Sequence, residues 1–364
     1  MPVLHYDQPF ELESGAVLPA LDIAYHTWGR PTPERDNVVW IFHALTGDAR
    51  ADQWWSGLVG SGKLLDPKQY YIICANMLGS CYGTTGPASL HPHTGKKWGP
   101  DFPLITVRDM VAAHRILAQA LDVDRIWLGI GGSMGGQQLL EWAATEPERF
   151  TMIVPIATNA RHSAWGIAFN EAQRMAIEAE LARYDDPTEA GRYGLKAARA
   201  IAMLSYRNYH TYRTTQDEEQ EKLYDYRASS YQRYQGEKLV RRFDVYSYLT
   251  LSKAMDSHNI GRGRGGVARA LANIQARTLT ISVDSDILFP PEEQQLIAQH
   301  IPNGHHATLY SLYGHDAFLI ELDQLQSLIQ QFLAGEGFPP QTPIAPTARP
   351  IQLPRPPIPG SEFF

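Results

Sequence analysis

Ser133, Asp286 and His315 occur along this chain in the order nucleophile, orienting acid, general base. A serine hydroxyl is a weak nucleophile at neutral pH; a base must take its proton, and an acid must orient that base. Ser133 stands in Gly131-Gly132-Ser133-Met134-Gly135, a G-x-S-x-G pattern. The apolar run 125–130 before it reads as a strand. The segment 137–144 after it reads as a helix, with apolar residues at helical spacing and Pro147 just beyond. A strand turning tightly into a helix lifts the serine hydroxyl above the sheet, at the positive end of the helix. Flanking glycines remove the Cβ atoms that would clash there. That arrangement is the nucleophile elbow of an α/β-hydrolase.

The partners fall where that fold requires them. The β-branched run 277–283 reads as a strand ending in Asp284-Ser285-Asp286. Asp286 is the better acid candidate because it lies in the loop beyond the strand, four residues before Pro290; Asp284 is the fallback. Another strand, 307–310, leads through Ser311-Leu312-Tyr313-Gly314 to His315, and a histidine on a strand end suits a base pointing into a site. The oxyanion formed in acyl transfer needs two backbone donors. One is Met134 N–H, the residue after the nucleophile. The other candidate is Leu45 N–H, in the turn His43-Ala44-Leu45-Thr46-Gly47 after the strand 37–42; a plain β-turn is the alternative there.

Other chemistries fit less well. A dinucleotide fingerprint starts at Gly129-x-Gly131, but its sixth position is Met134, and the strand 152–157 ends at Thr158-Asn159 without an acid for a ribose. Gly57 to Lys63 satisfies most of a P-loop, yet Leu64 stands where a magnesium-binding hydroxyl belongs. No zinc-type spacing appears; His91-x-His93 and His305-His306 read as loop residues, and no metal is expected. Cys81 lacks a recognisable base nearby. Two cysteines form no disulfide framework and point to a reducing cytoplasm. A net charge of −7 argues against a nucleic-acid partner, and no apolar run reaches membrane-spanning length.

Strand-like segments alternate with helical ones up to about residue 160 and again from about 275 to 335. Between them lie helical stretches such as 170–181, 194–206 and 244–256, with no convincing strand. The division expected is therefore an α/β-hydrolase core, mostly parallel sheet flanked by helices, at 1–160 and 272–335. A helical lid is inserted at 161–271, and a proline-rich, extended or disordered tail follows at 336–364. A lid would exclude water and shape access to the site.

These motifs together resemble those of the homoserine O-acetyltransferase family over roughly residues 10–335. The likeness rests on His43-Ala44-Leu45-Thr46-Gly47-Asp48, the stretch 79–87, Asp101-Phe102-Pro103, Gly132-Ser133-Met134-Gly135-Gly136-Gln137, the stretch 261–266, Asp284-Ser285-Asp286 and Gly314-His315-Asp316-Ala317-Phe318-Leu319. The resemblance implies Ser133 as acyl-accepting nucleophile, Asp286 as acid, His315 as base and Asp316 as ligand for the substrate amine. Through the segment Gly194-Leu195-Lys196-Ala197-Ala198-Arg199 it implies Arg199 as the substrate-binding arginine, with a solvated helix arginine as the alternative. It further implies acetyl-CoA as donor substrate with no permanently bound cofactor, L-homoserine as acceptor, and a homodimer formed through the lid. Related members acylate serine or use succinyl-CoA, and a plain serine esterase or thioesterase would share the triad. Arg262 and Arg264 are candidates for CoA phosphates, against a structural turn.

Overall fold

The computed structural model describes residues 1–183 and 190–338; the expected tail from 339 onward lies outside the described residues. Among the described residues ten strands occur in order: β1 (Val3–Tyr6), β2 (Phe10–Glu11), β3 (Val17–Leu18), β4 (Leu21–Trp28), β5 (Val38–Phe42), β6 (Tyr71–Ala75), β7 (Ile126–Gly132), β8 (Phe150–Ile156), β9 (Arg277–Val283) and β10 (Gly304–Leu309). β2 and β3 form a small hairpin. The other eight make one sheet in the order β1-β4-β6-β5-β7-β8-β9-β10. Its first two pairings are antiparallel and the remainder parallel. The fold is that of an α/β-hydrolase.

Parallel strands need covering on both faces, and the sequence supplies it. Every residue of β5, Val-Val-Trp-Ile-Phe, is buried. Helices α1 (Ala51–Trp54), α2 (Val107–Ala120) and α3 (Met134–Thr145) belong to the first half of the sheet. A capping box starts α2: Thr106 Oγ1 accepts from Arg108 N–H and the Asp109 carboxylate accepts from Thr106 N–H. Helix α3 is buried all round except at its last residue. Trp142 on it meets Trp40 of β5 edge-to-face, with centroids 5.1 Å apart.

Between β8 and β9 the named elements are helices: α4 (Ala164–Leu181), α5 (Arg192–Tyr206), α6 (Tyr209–Gln216), α7 (Arg227–Val240), α8 (Val245–Asp256) and α9 (Val267–Ala272). Helix α4 begins six residues earlier than its apolar spacing suggested, because Ser163 caps it, accepting from Gly166 N–H. An isolated bridge between Arg161 and Asn259 brings the two ends of this segment together. Helices α10 (Pro291–His300) and α11 (Leu322–Leu333) complete the second half of the sheet.

The Gly-Arg-Gly-Arg segment has a structural task, not the phosphate-binding one considered for it. Arg264 reaches the buried Glu141 of α3 at 2.5 Å, and Arg262 meets Glu13 at 2.7 Å. A carboxylate as buried as Glu141 requires paired charge, and Arg264 together with Arg108 provides it. Likewise the loop at Gly57–Lys63 is filled by the chain's own anion: Asp66 Oδ2 accepts from Gly62 N–H at 2.7 Å.

Candidate active site

Strand β7 delivers Ser133 into a turn with φ 56° and ψ −126°, a left-handed conformation that a side chain adopts only under constraint. The constraint comes from close backbone approach. A Cβ on Gly135 would sit 2.2 Å from Phe42 O, and one on Gly131 would sit 2.7 Å from the backbone of Gly135. Ser133 N–H donates to Ile156 O on the neighbouring strand, and Thr158 Oγ1 donates to Ser133 O at 2.7 Å. Thr158, at the end of β8, is a support for the elbow that the local motif does not reveal.

The three chemically matched residues converge. His315 Nε2 lies 2.9 Å from Ser133 Oγ, and His315 Nδ1 lies 2.7 Å from Asp286 Oδ2. All are nearly inaccessible: Ser133 is 6% exposed, Asp286 and His315 3% each. Asp286 Oδ1 accepts from the backbone N–H groups of Leu288 and Phe289 at 2.8 and 3.0 Å, which fixes its rotamer. Asp284 instead accepts from Ser311 N–H and ties the two strand-end loops together. The charge pattern makes Nδ1 the protonated nitrogen of neutral His315, leaving Nε2 as acceptor for the serine proton.

Burial alone would lower the pKa of His315. The Asp286 charge and hydrogen bond, aided by Asp316, outweigh it, so the imidazole titrates above its usual 6.5. A base must be neutral, so if His315 serves as the base, activity should fall on the acid side at a pH above that ordinary value. Asp316→Asn removes one of the anions facing the ring. It should move the acid limb to lower pH, which a histidine ring NMR titration or a pH–rate profile reads directly; an unmoved limb would contradict this assignment of charges.

The two backbone amides expected to hold an oxyanion, those of Leu45 and Met134, have no backbone acceptor of their own among the described residues. Met134 N–H is the first amide of α3. Gly47 N–H donates to Ala44 O, so the turn reading of this segment also holds. His43 pins the turn from behind. Its Nε2 accepts from Met77 N–H at 3.0 Å, so Nδ1 carries the proton and donates to Ala44 O at 2.9 Å. Burial lowers the pKa of His43 and keeps it neutral in that role.

Ser133 opens into a cavity of about 610 Å³ that it shares with His315, Asp316, Arg199, Tyr206 and Lys238. Arg199 and Tyr206 come from α5, two helical turns apart on one face, and Lys238 from α7. Arg199 has no carboxylate partner among the described residues; its guanidinium lies over the Tyr206 ring at 5.1 Å. Spacing from Arg199 could have revealed Tyr206. Asp316 is paired, at 3.2 Å, with Arg207, a residue for which no local motif gives a signal. At the cavity wall Arg242 donates to Thr46 O and to the Tyr82 hydroxyl at 2.6 and 2.7 Å. Cys81 is set aside as a nucleophile, since burial pushes its thiol up to about 11.

A serine, a histidine and an aspartate joined in this way on strand ends define a class. The model for the α/β hydrolase fold matches residues 37–322. Esterase E22 superimposes with a TM-score of 0.83 at 23% identity, covering 91% of this chain and 99% of that one, a likeness of fold. Greater identity is found elsewhere. The homoserine O-acetyltransferase of Cyclobacterium marinum is 49% identical over 330 residues, 91% of this chain and 94% of the relative. The crystal structure of homoserine O-acetyltransferase from Staphylococcus aureus is 30% identical with a TM-score of 0.77, covering 91% of this chain and 94% of that one. The chain belongs to the homoserine O-acetyltransferase family.

Proposed function

We propose that this protein transfers an acetyl group from acetyl-CoA to the side-chain hydroxyl of L-homoserine by way of an acetyl-serine at Ser133. The observation that carries the reading is the company Ser133 keeps. Its cavity holds a guanidinium, Arg199, with no carboxylate partner among the described residues, together with a carboxylate, Asp316. An amino acid carries one charge of each sign, and burying either without an opposite charge costs several kcal/mol, on the order of what an unpaired group loses. Arg199 suits the acceptor's carboxylate and Asp316 its ammonium. An apolar ester needs neither.

In the first half-reaction His315 Nε2 takes the Ser133 proton as Oγ bonds to the thioester carbon. The tetrahedral oxyanion is held by the N–H groups of Leu45 and Met134. The C–S bond then breaks, and the sulfur leaves with the proton from His315. In the second, His315 takes the hydroxyl proton of homoserine as that oxygen attacks the acetyl carbon. Ser133 Oγ departs and recovers the proton. Water competes for the same acyl group. Orientation of the bound acceptor, worth effective concentrations of about 10⁵ M or more, favours transfer over hydrolysis.

Residues 161–271, which place Arg199, Tyr206 and Lys238 on the cavity, act in this reading as a lid. Lys238 is exposed and unpaired among the described residues and lines the cavity, which supports it rather than Arg262 or Arg264 as the residue that would meet the donor's phosphates. No metal or permanently bound cofactor has a part in the scheme. We also assign a homodimer through these helices, supported by exposed Trp165, Met175 and Tyr209. A cytoplasmic setting is supported by the unpaired cysteines Cys74 and Cys81.

The test is to mix the protein with acetyl-CoA and follow thiol release and product mass with and without homoserine. Turnover that requires homoserine and yields its O-acetyl ester is the expected outcome. Thiol release indifferent to the amino acid, with acetate as product, would reassign the protein as a hydrolase. Serine and succinyl-CoA, offered in parallel, identify the acceptor and donor.

A further inference from the structure

Arg207 is the first residue after α5, and its guanidinium does not reach the cavity. It meets Asp316, a cavity residue, Nη2 to Oδ2 at 3.2 Å, and each is the other's sole ion-pair partner among the described residues. The contact is an ion pair, and neither oxygen of Asp316 accepts a hydrogen bond among the described residues. The guanidinium is itself held, stacked on Tyr313 with Cζ 5.4 Å from the ring centroid. The backbones approach closely at the same point: a Cβ on Gly314 would lie 3.0 Å from Tyr206 O and 3.3 Å from Arg207 Cα. Thus the end of α5 is locked against the turn that carries both the base and Asp316.

We propose that Arg207 is a positioning residue for the acceptor: it holds one oxygen of Asp316 so that the other faces the incoming ammonium group. The inference rests on the acyltransfer reading above and deepens it. A lone aspartate beside His315 has two competing uses, swinging toward the imidazole or meeting the substrate. A cation paired with it removes the first. Arg207 also weakens the field that Asp316 presents to an ammonium. Orientation prevails over that loss, because a charge-assisted hydrogen bond depends steeply on geometry while a partly exposed charge is screened. The donor thioester carries no amine at its reacting end, so this device belongs to the second half-reaction alone.

The experiment compares wild type with Arg207→Gln and Arg207→Lys in both half-reactions. In Arg207→Gln the burst of thiol from acetyl-CoA should stay within about twofold of wild type. KM for homoserine should rise about tenfold or more, as expected for loss of a hydrogen bond to a charged group. Arg207→Lys should recover part of that affinity. With 4-hydroxybutyrate, which keeps the hydroxyl and carboxylate but lacks the amine, wild type and Arg207→Gln should perform alike. A burst that falls in step with turnover, an unchanged homoserine KM, or an equal loss with the amine-free acceptor would overturn the proposal. Should Arg207→Gln fail to fold, Arg207→Lys carries the same comparison, with a smaller rise in KM and the burst intact. Failure of the acyltransfer reading looks different, since wild type would then release thiol without acetylating homoserine.

Discussion

Ser133→Ala leaves the cavity, its charges and the Leu45 and Met134 amides intact and removes only the atom that would carry the acetyl group. Turnover should drop by about 10⁶-fold, the scale seen when a nucleophile is deleted from a serine relay. Intact-protein mass spectrometry after brief exposure to acetyl-CoA should show one acetyl adduct on wild type and none on the variant. The adduct should map to the peptide containing Ser133. Folding is expected to survive, because Ser133 is held through its backbone: its N–H donates to Ile156 and its carbonyl accepts from Thr158. An adduct that persists in the variant would place the covalent step elsewhere.

Asp286→Asn should cost about 10⁴-fold in turnover, by a route that the hydrogen bonds specify. The backbone N–H groups of Leu288 and Phe289 both point at Oδ1. In the variant they select the amide oxygen for that position, and the amide nitrogen is left facing His315 Nδ1. A donor there forces Nδ1 to accept, which places the ring proton on Nε2, where it meets Ser133 Oγ. The imidazole then stands 2.9 Å from the nucleophile in the wrong tautomer. Stopped-flow thiol release should show the acylation burst slowed by that same factor while thermal stability changes little. A variant that retained its burst would mean that Asp286 has no part in orienting the base.

What could be read from the sequence follows from how local each signal is. Ser133 announces itself because the elbow is built from adjacent residues, with glycines required at 131 and 135 by contacts to Phe42 and to one another. Asp286 and His315 were legible because each sits just past a β-branched or apolar strand, so the sheet does the work of assembling them. The choice of Asp286 over Asp284 also followed from loop position. His43, Thr158 and Arg207 were not legible. Each acts through a partner distant in the chain, Met77, Ser133 and Asp316 respectively, and no periodicity or spacing encodes such a pairing. At Arg262 and Arg264 the structural alternative is the one the contacts support. A glycine-flanked arginine pair suggests an anion site, but the anions turned out to be Glu13 and Glu141, supplied by the chain itself.

The end of α5 and the start of α6 touch both loops that carry the relay: Asn208 donates to Ser285 O at 3.2 Å, and Thr211 donates to Leu312 O. The roof of the chamber is therefore bolted to the two shelves on which the acid and the base rest. Any breathing motion that admitted solvent over a stored acetyl group would tug those shelves out of line in the same instant. If Ser133 carries the acetyl group as proposed and these helices act as its cover, leakage of the activated acyl unit would be opposed twice, by the closed door and by a machine that idles whenever the door stands open.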